Sequence, residues 1–357
     1  MNYEFIWPPE ETGVRKKETF FKRLESNYIM QKHILVDLHT HLNEKQVDPK
    51  KWWEAAINKK LSVIAITEHV EYNPQSAYEK LIEKKPKNII LIPGMECKTS
   101  AGHLLVFGKD QSIYEIKDLQ KININIEKAL TIVNENNLVA SFAHPYGYKG
   151  DSATNQLGEK ETKRIMKKYK IGSEYYNGML GSANGFIFGT QWVKKLYNFF
   201  DFISKSKKAK KVGIQKKSAN IKSKLEIISL ETLERVRKGM LLGQDADYIT
   251  VGSDAHYPRV IGTAVLELKK MPKDENDFLK MLKKNEILWA GPNVYSDIPV
   301  DKLKKKELLE GLKYVTKNKI KKRLKKKKVS KSIKKRAKSL KQKIKNKKLP
   351  IRVRKRK

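Results

Sequence analysis

Residues 33–41 read HILVDLHTH, an apolar, β-branched run that ends in two histidines one residue apart. In a strand, residues i and i+2 point the same way, so His39 and His41 can reach one point in space. The same kind of text recurs as LSVIAIT (61–67), NIILIPG (88–94), LVASFAH (138–144) and ADYITVGSD (246–254). Each is short and continuously apolar, the pattern of a strand buried on both faces. Helical text lies between them: DPKKWWEAAINKK (48–60) opens with a capping Asp48 and a proline at the first helical position, and ININIEKALTIVNENN (122–137) is a second amphipathic stretch. Strands alternating with helices predict an α/β chain with a parallel sheet and crossover helices. Periodicity alone does not choose between an open doubly wound sheet and a closed barrel.

The 357 residues, 39% of them hydrophobic, suffice for a buried core. The formal charge of +38 is unevenly spread: from Gly311 onward there are 25 Lys and Arg and no Asp or Glu. The expected organisation is an N-terminal extension (1–33), a barrel (34–292) with a Lys-rich insertion at about 202–223, and a basic tail (293–357), partly disordered or helical. The insertion reads as a solvated loop or flexible hairpin. One cysteine, Cys97, excludes an intramolecular disulfide and a cysteine-rich zinc site. It adjoins Glu96 without a Cys-centred motif, so it reads as a buried structural thiol. No stretch reaches the ~18–20 apolar residues of a membrane span, and the first residues lack the apolar core of a signal peptide. The expected compartment is cytoplasmic.

Six of the seven histidines sit at or beside ends of these strands: His39, His41, His69, His103, His144 and His256. Two carboxylates, Glu96 and Asp254, follow strands of the same type. A single histidine at a strand end is more often a hydrogen-bonded structural residue than a ligand. Six together read differently, because an α/β fold gathers the C-terminal ends of parallel strands in one crevice. Imidazole and carboxylate are the ligand set of zinc, manganese or iron hydrolases.

In this order, DLHTH, AITEH, PGMECKTSAGHLLVFG, FAHPYG and GSDAHYPRVIG resemble the motifs of the polymerase and histidinol phosphatase (PHP) family, over about Val36 to Gly262. The resemblance implies a distorted (β/α)7 barrel with two or three divalent ions at one end. It implies that His39, His41, Glu96 and Asp254 hold one ion, that Glu96 bridges to a second held by His103 and His144, and that His69 and His256 face a third. IGSEYYNG resembles the family segment that brings a Glu and an Asn, here Glu174 and Asn177, near the pocket; a structural strand-end Glu is an equal alternative. GTAVLELKKMPKDENDFLKMLKKNEILWAGP (262–292) resembles the small segment that follows the barrel in stand-alone members. Two departures stand out. Glu68-His69 replaces the usual Asp-His, and the SDG expected after the first motif is absent, replaced by HLNEKQVDP, in which Glu44 and Asp48 are candidate substitutes.

The function these features predict is hydrolysis of a phosphate ester (a nucleotide, an oligonucleotide end or a small phosphorylated metabolite) by a metal-bound hydroxide. Glu96, His144, Asp254 and Arg259 are the expected catalytic residues, with Arg259 offering a bidentate phosphate contact or a surface salt bridge. The tail, dense in charge with Tyr314 its lone aromatic after Gly311, favours nucleic-acid phosphates over stacked bases. Two further readings remain: a nuclease that captures DNA or RNA through the tail, and an inactive metal-binding barrel that binds nucleic acid.

Overall fold

The computed structural model describes residues 33–147, 150–184, 191–206, 210 and 214–295. The 1–32 part of the N-terminal extension and the tail beyond residue 295 lie outside the described residues.

The strands are β1 (Ile34–Asp37), β2 (Leu61–Ile66), β3 (Ile90–Thr99), β4 (Gly102–Phe107), β5 (Val139–Phe142), β6 (Gly172–Asn177), β7 (Ile249–Gly252), β8 (Ala264–Leu268) and β9 (Ile287–Pro292). The five apolar runs read from the sequence are β1, β2, β3, β5 and β7. They form one sheet in the order β7-β6-β5-β4-β3-β2-β1-β8-β9. The open edge of β1 is shared. Its first residues pair antiparallel with β8. Beyond Asp37 the chain instead meets the end of β7: Leu38 N–H donates to Val251 O (3.1 Å), His41 N–H to Ala255 O (2.9 Å) and Ala255 N–H to His39 O. The sheet thereby nearly closes into a distorted barrel of β1 to β7.

The expectation of a wholly parallel sheet is corrected. β4 runs antiparallel to β3 and β5 because only Ser100 and Ala101 separate it from β3, far too few residues for a crossover. Its antiparallel course places the start of β4, not its end, at the rim where the parallel strands finish.

Helices α1 (Pro49–Asn58), α2 (Pro74–Ile82), α3 (Ile126–Glu135), α4 (Ala153–Leu157) and α5 (Glu159–Tyr169) follow β1, β2, β4 and β5. Asp48 caps α1 by accepting from Lys50 N–H, with Pro49 at its first position, as the sequence indicates. Strand side chains alternate between two clusters. Leu35, Ile64, Ile66, Leu91, Leu104, Val106 and Phe142 face outward onto helix residues such as Trp52, Leu81, Leu130 and Met166. Val36, Val63, Ala65, Ile92, Leu105, Phe107 and Val139 fill the interior.

Between β6 and β7 the chain forms α6 (Gly178–Asn184), α7 (Gln191–Lys205) and α8 (Ile214–Gly243). Apart from Ser206, the described residues of the 202–223 stretch are therefore helical rather than loop. Its Lys, Ala and Gln are strong helix formers, and the lysine charge suits helices standing in water. After β8, α9 (Glu275–Lys283) contributes Phe278, Leu279, Met281 and Leu282 to the interior cluster. Replacing Phe278, fully buried, with alanine is expected to cost about 3–5 kcal/mol. Chemical denaturation measures this, and a loss below about 1 kcal/mol would show that α9 does not fill the barrel.

Candidate metal centre

The alternation that turns Val63 and Ala65 inward continues to His69, that of Ile92 to Glu96, and that of Leu105 and Phe107 back to His103. At the rim the apolar interior thus gives way to ionisable side chains without any change of backbone pattern. Parallel bridges persist into this layer, with Thr40 opposite Ala255 and His69 opposite Glu96.

Glu96 is at the centre. Its Oε1 lies 2.6 Å from His103 Nδ1 and 3.1 Å from His144 Nε2; its Oε2 lies 3.0 Å from His69 Nδ1, 3.2 Å from His39 Nε2 and 3.5 Å from His41 Nε2. Asp254 Oδ1 lies 3.3 Å from His41 Nε2 and 3.6 Å from both His39 Nε2 and His256 Nδ1. All six expected histidines and both expected carboxylates therefore meet in one pocket. Their ligand atoms form four overlapping groups: His39–His41–Asp254, His39–Glu96–His144, His69–Glu96–His103 and His41–His69–His256.

Supporting residues hold these side chains. Glu174 is buried; its Oε1 accepts from His39 Nδ1 (2.9 Å) and its Oε2 from the His144 backbone N–H (2.6 Å). Asn177 donates to Glu174 (3.0 Å) and Asp254 (3.3 Å), and its own Oδ1 accepts from Leu180 N–H at the start of α6. His144 and Asp254 both have left-handed backbones, with φ of 29° and 54°. Such conformations cost on the order of 1–3 kcal/mol and persist where surrounding bonds over-determine them. An added Cβ at Gly252 would lie 2.2 Å from His39 Cβ, so only glycine lets β7 pass this close.

The sequence reading gave no role to Asp37 or Glu68. The fully buried carboxylate of Asp37 accepts from Ser253 N–H (2.8 Å), Ser253 Oγ (2.6 Å) and Gly262 N–H (2.7 Å). A carboxylate inside an otherwise apolar strand was the available signal. Glu68 Oε2, also buried, accepts from Leu42 N–H (2.8 Å) and Asn43 N–H, so it organises the loop after β1. That loop delivers Glu44, whose Oε2 lies 2.7 Å from His256 Nε2 and 3.6 Å from His69 Nε2. Of the two candidate substitutes, Glu44 reaches the pocket and Asp48 is the cap of α1. Arg259 lies half-buried on the single turn Pro258–Val260 beyond β7. Cys97 is fully buried, and burial pushes its thiol well above the usual range. His33, the seventh histidine, lies apart, bonded to Glu267 and stacked on Tyr295.

Burial opposes charge on His39 and His41, yet neighbouring carboxylates outweigh it. Asp254, Glu174 and Glu96 hold His39 well above the ordinary imidazole range, and Asp254, Glu68 and Glu96 raise His41 to about 10. Burial, reinforced by the neighbouring imidazoles of His41, His103 and His256, lowers His69 to about 4 despite Glu96. Burial likewise opposes the charge on Glu96 and Asp254, and the surrounding imidazoles hold both well below the usual carboxylate range. The pocket is thus electrostatically suited to positive charge. Neither ring nitrogen of buried His41 makes a hydrogen bond, nor does Nδ1 of His144. Converging carboxylate oxygens and unbonded imidazole nitrogens fit divalent cations.

Residues 248–287 match the PHP-associated family. The resemblance read from the motifs is borne out there: this PHP-associated segment contains β7, Asp254, His256, β8 and α9, and includes most of the 262–292 stretch singled out from the sequence. No curated protein matches the chain. Three solved structures are similar over parts of it. A two-domain protein from Bacteroides vulgatus containing a predicted PHP-like metal-dependent phosphoesterase is 20% identical over 41% of this chain and 45% of its own, with a TM-score of 0.33. PsfC from Pseudomonas syringae is 15% identical over 70% and 88%, with a TM-score of 0.44. The lesion-specific endonuclease PfuEndoQ from Pyrococcus furiosus is 15% identical over 71% and 56%, with a TM-score of 0.42. The chain spans less than half the length of the Bacteroides protein. Among the described residues, no helix is long and apolar enough to cross a membrane.

Asp37→Ala, which removes the acceptor of four buried donors, is expected to destabilise the fold by about 3 kcal/mol or more. Thermal and denaturant unfolding measure it, and wild-type stability would show that the closure of β1 on β7 rests elsewhere.

Proposed function

We propose that this chain is a metal-dependent phosphoesterase that hydrolyses a phosphate ester, with a nucleotide, an oligonucleotide end or a small phosphorylated metabolite as substrate. The observation that carries this reading is Glu96, a buried carboxylate within 3.5 Å of five imidazoles, two of which, His39 and His41, turn the same Nε2 toward Asp254 as well. His39, His41, Glu96 and Asp254 would hold one ion, and Glu96, His103 and His144 a second. His69 and His256, joined by Glu44, would hold a third. Zinc, manganese and iron all suit this ligand set. When bound, divalent ions lower the pKa of water and neutralise charge on phosphoryl oxygens, the two demands of phosphate-ester hydrolysis.

The chain's own residues prepare the pocket for that chemistry. Glu174 accepts the Nδ1 proton of His39 and so aims Nε2 at Glu96 and Asp254, the arrangement by which a carboxylate fixes a ligand's tautomer. Asn177 holds Asp254 and Glu174 together, which limits their drift. The apolar interior below the pocket keeps water out from that side. Arg259 would supply a planar, permanently charged fork for a phosphate.

Phosphate release from an aryl phosphate, mononucleotides, 3′,5′-bisphosphates and short RNA, with added manganese or zinc, tests the proposal. Turnover that needs metal and disappears in His39→Ala and Asp254→Ala is the expected result; absence of turnover across the panel would sink it. Glu174→Gln is expected to weaken metal binding about 10- to 100-fold, read by competition with a chromogenic chelator. Glu44→Ala is expected to remove one ion per chain from the elemental-analysis stoichiometry, and an unchanged ratio would exclude Glu44 as a ligand.

A further inference from the structure

The helices α7 and α8 form an arm built on the strand that carries Glu174 and Asn177. α6 begins directly after Asn177, and the last turns of α8 lie along β6, where a Cβ at Gly243 would meet Tyr175. Arg235 of α8 donates to Tyr146 O (2.9 Å) and Gly147 O, in the loop that follows His144. The arm is therefore anchored beside the pocket through two of its elements.

It is unusual in two respects, one of sequence and one of the described surface. Residues 191–243 hold fourteen Lys and Arg against four Asp and Glu, and residues 205–217 hold seven lysines and no acid. Asp201, one of the four, is bonded to Lys205 (2.7 Å) and Lys222 (2.6 Å), so its charge is already matched. On the same helix, Phe199 and Phe202 are 55% and 73% exposed. Three residues apart, they share one face of α7. Lys205 extends that face by one more turn, and the exposed Lys216 and Lys217 follow on α8.

We propose that this arm is a docking surface for single-stranded nucleic acid, and that it makes the substrate of the phosphoesterase a strand rather than a free metabolite. Aromatic rings in water beside lysines are the combination that binds single strands: bases stack on the rings while phosphates meet the ammonium groups. Duplex DNA buries its bases and offers the two phenyl rings nothing to stack on. The substrate assignment rests on the phosphoesterase reading; the docking surface does not.

The test uses the full chain with a fluorescein-labelled 20-nucleotide RNA, the duplex of the same sequence and phosphatidylserine vesicles. Phe199→Ala/Phe202→Ala is expected to weaken single-strand binding about tenfold or more while leaving metal-dependent hydrolysis of an aryl phosphate unchanged. Lys216→Gln/Lys217→Gln is expected to lower the slope of log K against log salt by about 1.4. Photo-crosslinks from 4-thiouridine in the RNA are expected within residues 197–217. Wild-type affinity in the phenylalanine variant, crosslinks confined to the basic residues after Gly311, or a loss that affects only vesicle binding would each overturn the docking surface. Loss of strand binding without aryl phosphate turnover in the wild type would uphold the arm and sink the phosphoesterase.

Discussion

The carboxylate of Asp37 is where two halves of the barrel meet. β1 must spend its first residues on β8 and its continuation on β7, and Asp37 stands at the changeover. By accepting from Ser253 and Gly262 it fixes the segment that contains Asp254 and His256 against the one that contains His39 and His41. Its desolvation is severe enough to raise its own pKa to about 6 against four stabilising hydrogen bonds. The chain accepts that cost at the point where a shift of one strand would separate half the pocket from the other half.

From that junction the rest of the pocket is assembled by redundancy. Glu174 supports His39 and the backbone of His144 with separate oxygens, and Asn177 ties Glu174 to Asp254. The two left-handed residues of the pocket, His144 and Asp254, are the ones held in this way. Local strain and polar bracing thus occur together, as expected of side chains positioned against their backbone preference.

Much of this arrangement was legible as text. Continuous apolar runs identified the buried strands, Asp48-Pro49 identified the start of α1, and scarce histidines at strand boundaries identified the pocket. Direction was not legible from periodicity: β4 is as apolar as its neighbours, and a strand buried on both faces reads the same either way. The two-residue spacing between Thr99 and Gly102 carried the information. Glu44 was harder, because it enters through a loop whose course is set by Glu68, through contacts 25 and 26 residues distant in sequence. The stretch around 202–223 was misread because its lysines were weighed as solvated charge. Helix propensity and the recurrence of Ile214, Ile221 and their neighbours were not.

The interior cluster has a consequence for traffic. Phe278, Met281 and Leu282 of α9, with Val63, Ile92 and Phe107, leave the barrel a solid plug below its ionisable rim. Among the described residues, that plug closes the way to Glu96 from below, so the pocket is approached from the rim. On the proposed phosphoesterase reading, substrate and inorganic phosphate would share that side of the barrel, so accumulating phosphate, compact and strongly charged, would compete with substrate for the pocket.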